Sequence, residues 1–209
     1  NQEEAKHPIP GNPFQIGLGM CLPTVMTFAD EETKKRFVGP AIRGEEIWSQ
    51  LFSEPSAGSD LAGIRTKAVK DGDEWVIDGQ KVWTSLAQFA QFGLVLARTH
   101  PDLPKFEGLT TFFIDMQSPG VTVRPIRQAG GESEFNEVFF DNVFVPDSQR
   151  VGSEGGGWKV TLTGLMSERL SIGGVMPTEL WRTLAEMLRE AQFLGRSALE
   201  DGRLRERLA

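Results

Sequence analysis

Short runs of alternating apolar and polar residues, each closed by Gly, Pro or Asn, fill the middle of the chain, and apolar residues at helical spacing fill its ends. Trp48-Ser49-Gln50-Leu51-Phe52 is strand-like, and further strands are predicted at 66–69, 74–77, 81–84, 93–98, 109–115, 121–126, 137–141 and 143–145. Asp71-Gly72 and Asp78-Gly79 lie between runs and predict hairpins, because primed turns need positive φ and Gly adopts it at little cost. Ahead of the strands, Asp30 is placed to cap a helix through Val38, with Glu31 and Glu32 in its first turn and Gly39-Pro40 ending it. Pro8, Pro10, Pro13 and Pro23 break up the apolar stretch before that helix. Gly155-Gly156-Gly157 reads as a hinge, and 158–172 and 179–193 after it carry apolar residues at helical period. Many short strands without intervening helices predict an α+β chain: a helical tail, an antiparallel β barrel or sandwich, then helices.

Composition changes this picture little. Charged residues at 24% and hydrophobic residues at 39% describe an ordinary soluble balance, which excludes disorder but separates neither enzyme from binding module. A net charge of -7 disfavours unassisted binding to nucleic acid or anionic membrane, since either needs a local excess of Lys and Arg. The basic clusters at Lys34-Lys35-Arg36 and from Arg196 to Arg207 are interleaved with Glu and Asp and read as solvated helix faces. Cys21 is the single cysteine, so no intramolecular disulfide is expected, and a cytoplasmic location fits best. The N-terminus lacks the regions of a signal peptide, and no apolar run reaches the roughly 20 residues of a membrane helix. The first residue is not Met, which suggests that upstream residues were cleaved or are missing.

Candidate chemistry narrows by elimination. His7, His100 and Cys21 lie far apart, no two His share a helix turn, and metal or Ser/His/Asp chemistry is not expected. Gly17-Leu18-Gly19 lacks the third glycine of a dinucleotide fingerprint. The informative stretch is Phe52-Ser53-Glu54-Pro55-Ser56-Ala57-Gly58-Ser59-Asp60, where a strand empties into small residues whose N–H groups and hydroxyls suit a pyrophosphate or a heterocycle edge. Taken alone it is also an ordinary Ser- or Asp-capped loop. Trp83-Thr84-Ser85, at the end of another predicted strand, adds an indole and two hydroxyls suited to a flat, nitrogen-rich ring such as isoalloxazine.

These two motifs together resemble the acyl-CoA dehydrogenase family, whose members show a T/S-E-P-x-A-G-S-D loop followed by a D-G-x-K-x-W-x-T/S strand. Here they read Ser53 to Asp60 and Asp78-Gly79-Gln80-Lys81-Val82-Trp83-Thr84-Ser85, with Ser56 where the family usually has Gly. The likeness extends to Arg43-Gly44-Glu45, 108–115, Pro119-Gly120-Val121 and 140–146. It implies the end of an N-terminal helical domain at 1–44, a central β-barrel domain at 45–152 and the start of a C-terminal helical domain at 153–209. By the same resemblance FAD is the cofactor, held by Gln50, Phe52, Ser53, Gly58, Ser59, Trp83, Thr84 and Ser85, with Ser59 also meeting the CoA portion of an acyl-CoA substrate. Leu165-Met166-Ser167-Glu168-Arg169-Leu170 is similar to the L-x-x-E-R-L pattern that carries the base in the isovaleryl and long-chain subgroup. Glu168 is therefore the expected catalytic base, the alternative being the C-terminal helical region where many members carry it, and Arg169 is expected near the thioester or supporting the helix. The implied reaction is α,β-dehydrogenation of an acyl-CoA in a homo- or hetero-tetramer that passes electrons to electron-transfer flavoprotein. Two alternatives stay open: a flavin oxidase or monooxygenase of the same superfamily, and a noncatalytic subunit of a heteromeric dehydrogenase. Without the resemblance, Glu168 and Arg169 read as a solvent-facing pair on an amphipathic helix.

Overall fold

A computed structural model describes residues 13–173, 180–193 and 195–206. Its elements run α1 (Leu22–Phe28), α2 (Glu31–Ile42), β1 (Trp48–Leu51), β2 (Lys67–Asp71), β3 (Glu74–Ser85), β4 (Phe92–Arg98), β5 (Leu109–Asp115), β6 (Val121–Pro125), β7 (Phe135–Pro146), β8 (Arg150–Val151) and α3 (Gly157–Gly173). This is the α+β arrangement expected, with one eight-stranded sheet in the order β6-β7-β3-β2-β4-β5-β8 and β1 attached to β4. The pairings are antiparallel except that β1 and β2 each run parallel to β4. The all-antiparallel expectation is corrected there, because the long 52–91 connection leaves the direction of β1 relative to β4 free.

The sheet curls around a core of its own. Leu51, Trp75, Ile77, Val95, Phe112, Val138, Phe140 and Val143 form one buried cluster, and Trp75 on β3 meets Phe112 on β5, with two strands between them in the sheet, at 5.3 Å between ring centroids. The alternate residues of β4, Leu94 and Leu96, point into a second cluster with Cys21, Val25, Phe37, Trp48, Phe113 and Val160, which glues the helices to the other face. β4 is thus buried on both sides and reads as a continuous apolar run. Phe37 packs edge-on against Phe92 and Phe113, at 4.8 and 4.9 Å.

Several local expectations give way to tertiary structure. Asp30 does cap α2, accepting from Thr33 N at 2.7 Å, but the helix continues through Gly39-Pro40 to Ile42. A proline in the last turn removes only one helical donor, and the extra turn buries Ala41 in the core. Residues 15–28 are helical despite Pro23, because the π-helical turn Gly17–Cys21 just before it loosens the helix where the proline ring and missing N–H would disrupt a regular α-turn. Pro8 and Pro10 lie outside the described residues.

Asp71-Gly72 turns the β2–β3 hairpin, with Gly72 at φ 60°. Asp78-Gly79 does not turn. It sits inside the single long strand β3, where Gly79 has φ 151° and a Cβ would fall 2.7 Å from the Cα of Thr66. The opposing strand irregularity is at Asn142, φ 49°, whose N–H donates to Asp78 Oδ1 at 2.9 Å, so 137–141 and 143–145 are also one strand, β7. The glycine run at 155–157 is pinned and not a hinge: Gly155 N donates to Thr110 Oγ1 at 2.9 Å, and a Cβ on Gly157 would lie 2.7 Å from the backbone of Leu109.

One compact unit extends to Ser171 and a second begins at Ile172. Within the second, the helix expected at 179–193 is α4 (Leu180–Glu190), and Gln192–Phe193 instead pairs with Arg196–Ser197 as a small hairpin. Among the described residues no helix is long and apolar enough to cross a membrane.

Candidate functional site

The loop after β1 is built on a buried ion pair. Glu54 N and Ala57 N each bond the other's carbonyl, at 2.9 and 3.0 Å, closing a tight turn around Pro55 and Ser56. The Glu54 carboxylate points inward, accepting from Arg65 N at 2.6 Å, Thr66 N at 2.9 Å and Lys81 Nζ at 2.9 Å. Lys81, fully buried on β3, also donates to Phe52 O at 3.0 Å, and Val82 N donates to Ser53 O at 2.9 Å. These bonds strap the loop to β3, so the two sequence motifs meet in space. Burial drives the Lys81 pKa down to about 8 against the opposing pull of Glu54. Burial also tends to raise the Glu54 pKa, but the Lys81 charge and the N–H donors outweigh it and hold the carboxyl below its ordinary value.

The end of β3 is distorted in a way that sorts its side chains. The β3–β7 register slips between Lys81 and Thr84, and Trp83 has φ 59°. A bulge of this kind re-aims a side chain. The indole of Trp83 is 59% exposed and meets Phe135 edge-on at 6.1 Å. Thr84 is turned inward and buried, and its hydroxyl has no partner among the described residues. Ser85 is half-buried, and Leu86 follows at φ 56°.

Of the residues expected to hold flavin, Phe52 is buried in the core, Gln50 and Ser53 are half-buried, and Gly58 and Ser59 are exposed. A Cβ on Gly58 would meet nothing within 4 Å, so no packing within the chain requires glycine there. Among the described residues, nothing accepts from the N–H groups of Gly58 and Ser59, and nothing bonds the hydroxyls of Ser53, Ser59 and Ser85. A strapped backbone, three unclaimed hydroxyls and one exposed indole form a donor set that fits a flat, hydrogen-bonding ring with a phosphate tail. Thr84 can join such a set only through its backbone.

Glu168 lies on α3, whose buried positions Gly157, Val160, Thr161 and Gly164 recur at heptad spacing. Glu168 and Ser171 continue that row, both half-buried, with a Cβ on Gly19 falling 2.9 Å from Ser171 Cβ. The carboxylate has no hydrogen-bond or ion partner among the described residues, and Leu162, Met166, Arg169 and Leu170 take the exposed side. Arg169 does not pair with Glu168; it leans over Met166 Sδ at 4.0 Å. Trp158 and Leu165 pack against the same core as Phe52, Ala57 and Leu61, tying α3 to the loop.

Glu54 lies inside one motif and Lys81 inside the other, yet their role depends on burial that no local pattern displays. His100 sits on the surface, 3.0 Å from Glu154, and His7 lies outside the described residues. A cleft of about 400 Å³ beside β2, lined by Ile64, Arg65, Lys67, Val69 and Arg98 among others, includes none of the expected site residues.

Residues 49–143 match the acyl-CoA dehydrogenase middle domain. Acyl-CoA dehydrogenase FadE34 of Mycobacterium tuberculosis is 49% identical over 167 residues, covering 80% of this chain and 23% of that protein. Acyl-CoA dehydrogenase IpdE1 of the same organism is 41% identical over 210 residues, covering 99% of this chain and 53% of that protein. Among solved structures, the Tcur3481-Tcur3483 steroid acyl-CoA dehydrogenase superposes with a TM-score of 0.81 at 34% identity, over 94% of this chain and 50% of that one. The FAD complex of PigA superposes with a TM-score of 0.82 at 25% identity, over 93% and 52% of the two chains. The chain belongs to the acyl-CoA dehydrogenase family. It spans about a quarter of the first of these curated relatives and about half of the second.

Proposed function

We propose that this chain carries the flavin face and the catalytic base of an FAD-dependent acyl-CoA dehydrogenase, converting an acyl-CoA thioester to the α,β-enoyl-CoA. The observation that carries the proposal is the Glu54–Lys81 strap, which brings the loop of Ser53 and Ser59 against the strand of Trp83 and Ser85. In this reading Ser53, Gly58 and Ser59 hold FAD by hydroxyl and N–H groups, Trp83 walls the ring, and Ser85 supplies the hydroxyl, since that of Thr84 is buried. FAD when bound accepts the hydride that leaves the β carbon. Glu168 takes the proton from the α carbon, and the electron pair of that C–H bond closes the new double bond. A half-buried carboxylate with no counter-ion among the described residues, on the packed side of α3, suits a base better than a surface ion pair does. In this reading Arg169 lies near the thioester and Ser59 near the CoA portion.

The paired name of the Tcur3481-Tcur3483 steroid enzyme supports assembly with a second, different subunit and a ring-bearing thioester as the first substrate to try. Electron-transfer flavoprotein is the proposed acceptor. The test is anaerobic addition of straight-chain, branched and steroid acyl-CoA thioesters to the purified holoprotein. Bleaching of the flavin bands by one class is expected, and Glu168→Gln should keep the flavin but lose the bleaching. Unchanged reduction in Glu168→Gln removes Glu168 from the mechanism, and rapid reoxidation by oxygen in place of the flavoprotein would favour an oxidase.

A further inference from the structure

Two consecutive carbonyl groups at the end of β3 are held by buried side chains from two different strands. Ser49 Oγ, on β1, donates to Ser85 O at 3.0 Å, and Asn136 Nδ2, on β7, donates to Thr84 O at 3.0 Å. Ser49 and Asn136 are both fully buried, so neither can touch a ligand. The Asn136 amide nitrogen also faces Gln88 Oε1 and Glu134 O, and three acceptors converging on one atom admit only the donor end of the amide. Gln88 is fixed in turn by Nε2 donating to Ser133 O at 2.9 Å.

The segment needs such an anchor. Trp83 and Leu86, on either side of Thr84-Ser85, both hold positive φ, which non-glycine residues keep only where the surroundings impose it. The β3–β7 ladder imposes it only in part: it is broken between Lys81 and Thr84 and resumes at Thr84 opposite Asn136 and Ser85 opposite Phe135. Beside the break, the side chains of Ser49 and Asn136 add to the resumed ladder in orienting the Thr84–Ser85 peptide, and that peptide sets where the Ser85 hydroxyl stands.

We infer that Asn136 and Ser49 form a two-point clamp that positions the Ser85 hydroxyl toward a bound flavin, with Gln88 as the outer support of Asn136. The inference rests on the flavin-site reading above. The clamp residues are positioning residues, and their effect passes through Ser85.

The experiment compares Ser49→Ala, Gln88→Ala, Asn136→Ala and Ser85→Ala in the holoprotein by flavin absorption spectrum, flavin reduction potential and the rate and substrate dependence of anaerobic bleaching. Each clamp variant is expected to keep FAD, to shift the flavin band and potential in the same direction as Ser85→Ala, and to slow bleaching about tenfold at unchanged acyl-CoA affinity. Placed on the Ser85→Ala background, Ser49→Ala and Gln88→Ala should add less than twofold, because the group they position is gone. Folded, flavin-loaded variants with wild-type spectrum and potential overturn the clamp, as do effects that multiply fully with Ser85→Ala. Asn136→Ala leaves a cavity in the sheet; if it does not fold, the Ser49 and Gln88 variants decide the question alone. A wild-type protein that takes up no flavin would sink the underlying reading together with the clamp, whereas a flavin-loaded, bleachable wild type with insensitive variants sinks the clamp only.

Discussion

Replacing Lys81 by Met leaves a carboxylate inside the protein without its counter-ion. Glu54 would keep the N–H donors of Arg65 and Thr66, at 2.6 and 2.9 Å, but lose the ammonium at 2.9 Å, and Phe52 O would lose its donor. Breaking a buried pair from one side typically costs about 3–5 kcal/mol, and the two remaining N–H bonds place this case near the lower end, about 3 kcal/mol. The double variant Glu54→Gln/Lys81→Met removes the charge as well and should recover about 2 kcal/mol of that loss. Urea unfolding followed by tryptophan fluorescence measures both values. The pH dependence supplies a second check. The folded Lys81 pKa of about 8 lies below the roughly 10.4 of an unfolded chain, so the unfolded state holds more protons in between. Stability from this group therefore rises as pH climbs from about 8 to about 10, and Lys81→Met should lack that rise. Because the strap also sets the loop, Lys81→Met should weaken FAD binding. A loss under about 0.5 kcal/mol, or single effects that simply add in the double variant, would refute the strap.

Gly79→Ala should destabilise the protein by about 2 kcal/mol or more, since φ is 151° and the new Cβ would stand 2.7 Å from a backbone atom of Thr66; the urea midpoint reads this directly. Asp147 is held down to a pKa of about 2, first by hydrogen bonds from Arg150 and then by the indole N–H of Trp75 at 2.7 Å. Its stabilisation is present above the ordinary carboxylate pKa and is lost as pH falls from about 4 to about 2, so Asp147→Asn should flatten acid unfolding there. The difference is roughly 1 kcal/mol after solvent screening, and an unchanged acid limb in Asp147→Asn would contradict it.

How much of this was legible beforehand follows from the range of the forces involved. Strands β4, β5 and β6 and the Asp30 cap could be read off the chain because their signals are local: apolar runs, turn residues, and a carboxylate beside free helix N–H groups. Gly79 misled because the same dipeptide that makes a turn also makes a bulge, and only the approach of Thr66 decides between them. The glycines at 155–157 misled likewise, since closeness to Leu109 and freedom to flex call for the same residue. The site divides in the same way. Residue types and spacing brought Ser53 to Asp60 and Trp83 to Ser85 into view, but not which hydroxyl faces inward. That depends on a register slip between β3 and β7, strands more than fifty residues apart.

The same distortion explains why so much buried polarity gathers beside the proposed flavin face. A regular β3 would put Trp83 and Ser85 on one side and satisfy its backbone through β7. The slip instead turns the indole outward, and side chains hold the backbone around it: Ser49 and Asn136 on the carbonyls of Ser85 and Thr84, Lys81 on Phe52 O, Glu54 on the N–H groups of Arg65 and Thr66. Each of these groups is costly to bury alone and tolerable only with its partners in place. A hydrophobic replacement at any one of them would leave a buried donor or acceptor stranded, so the polar network specifies one arrangement of loop and strand where an apolar core would allow several. A site built to hold a flat ring by hydroxyls and N–H groups depends on that single arrangement, because the donors reach the ring only where the backbone puts them.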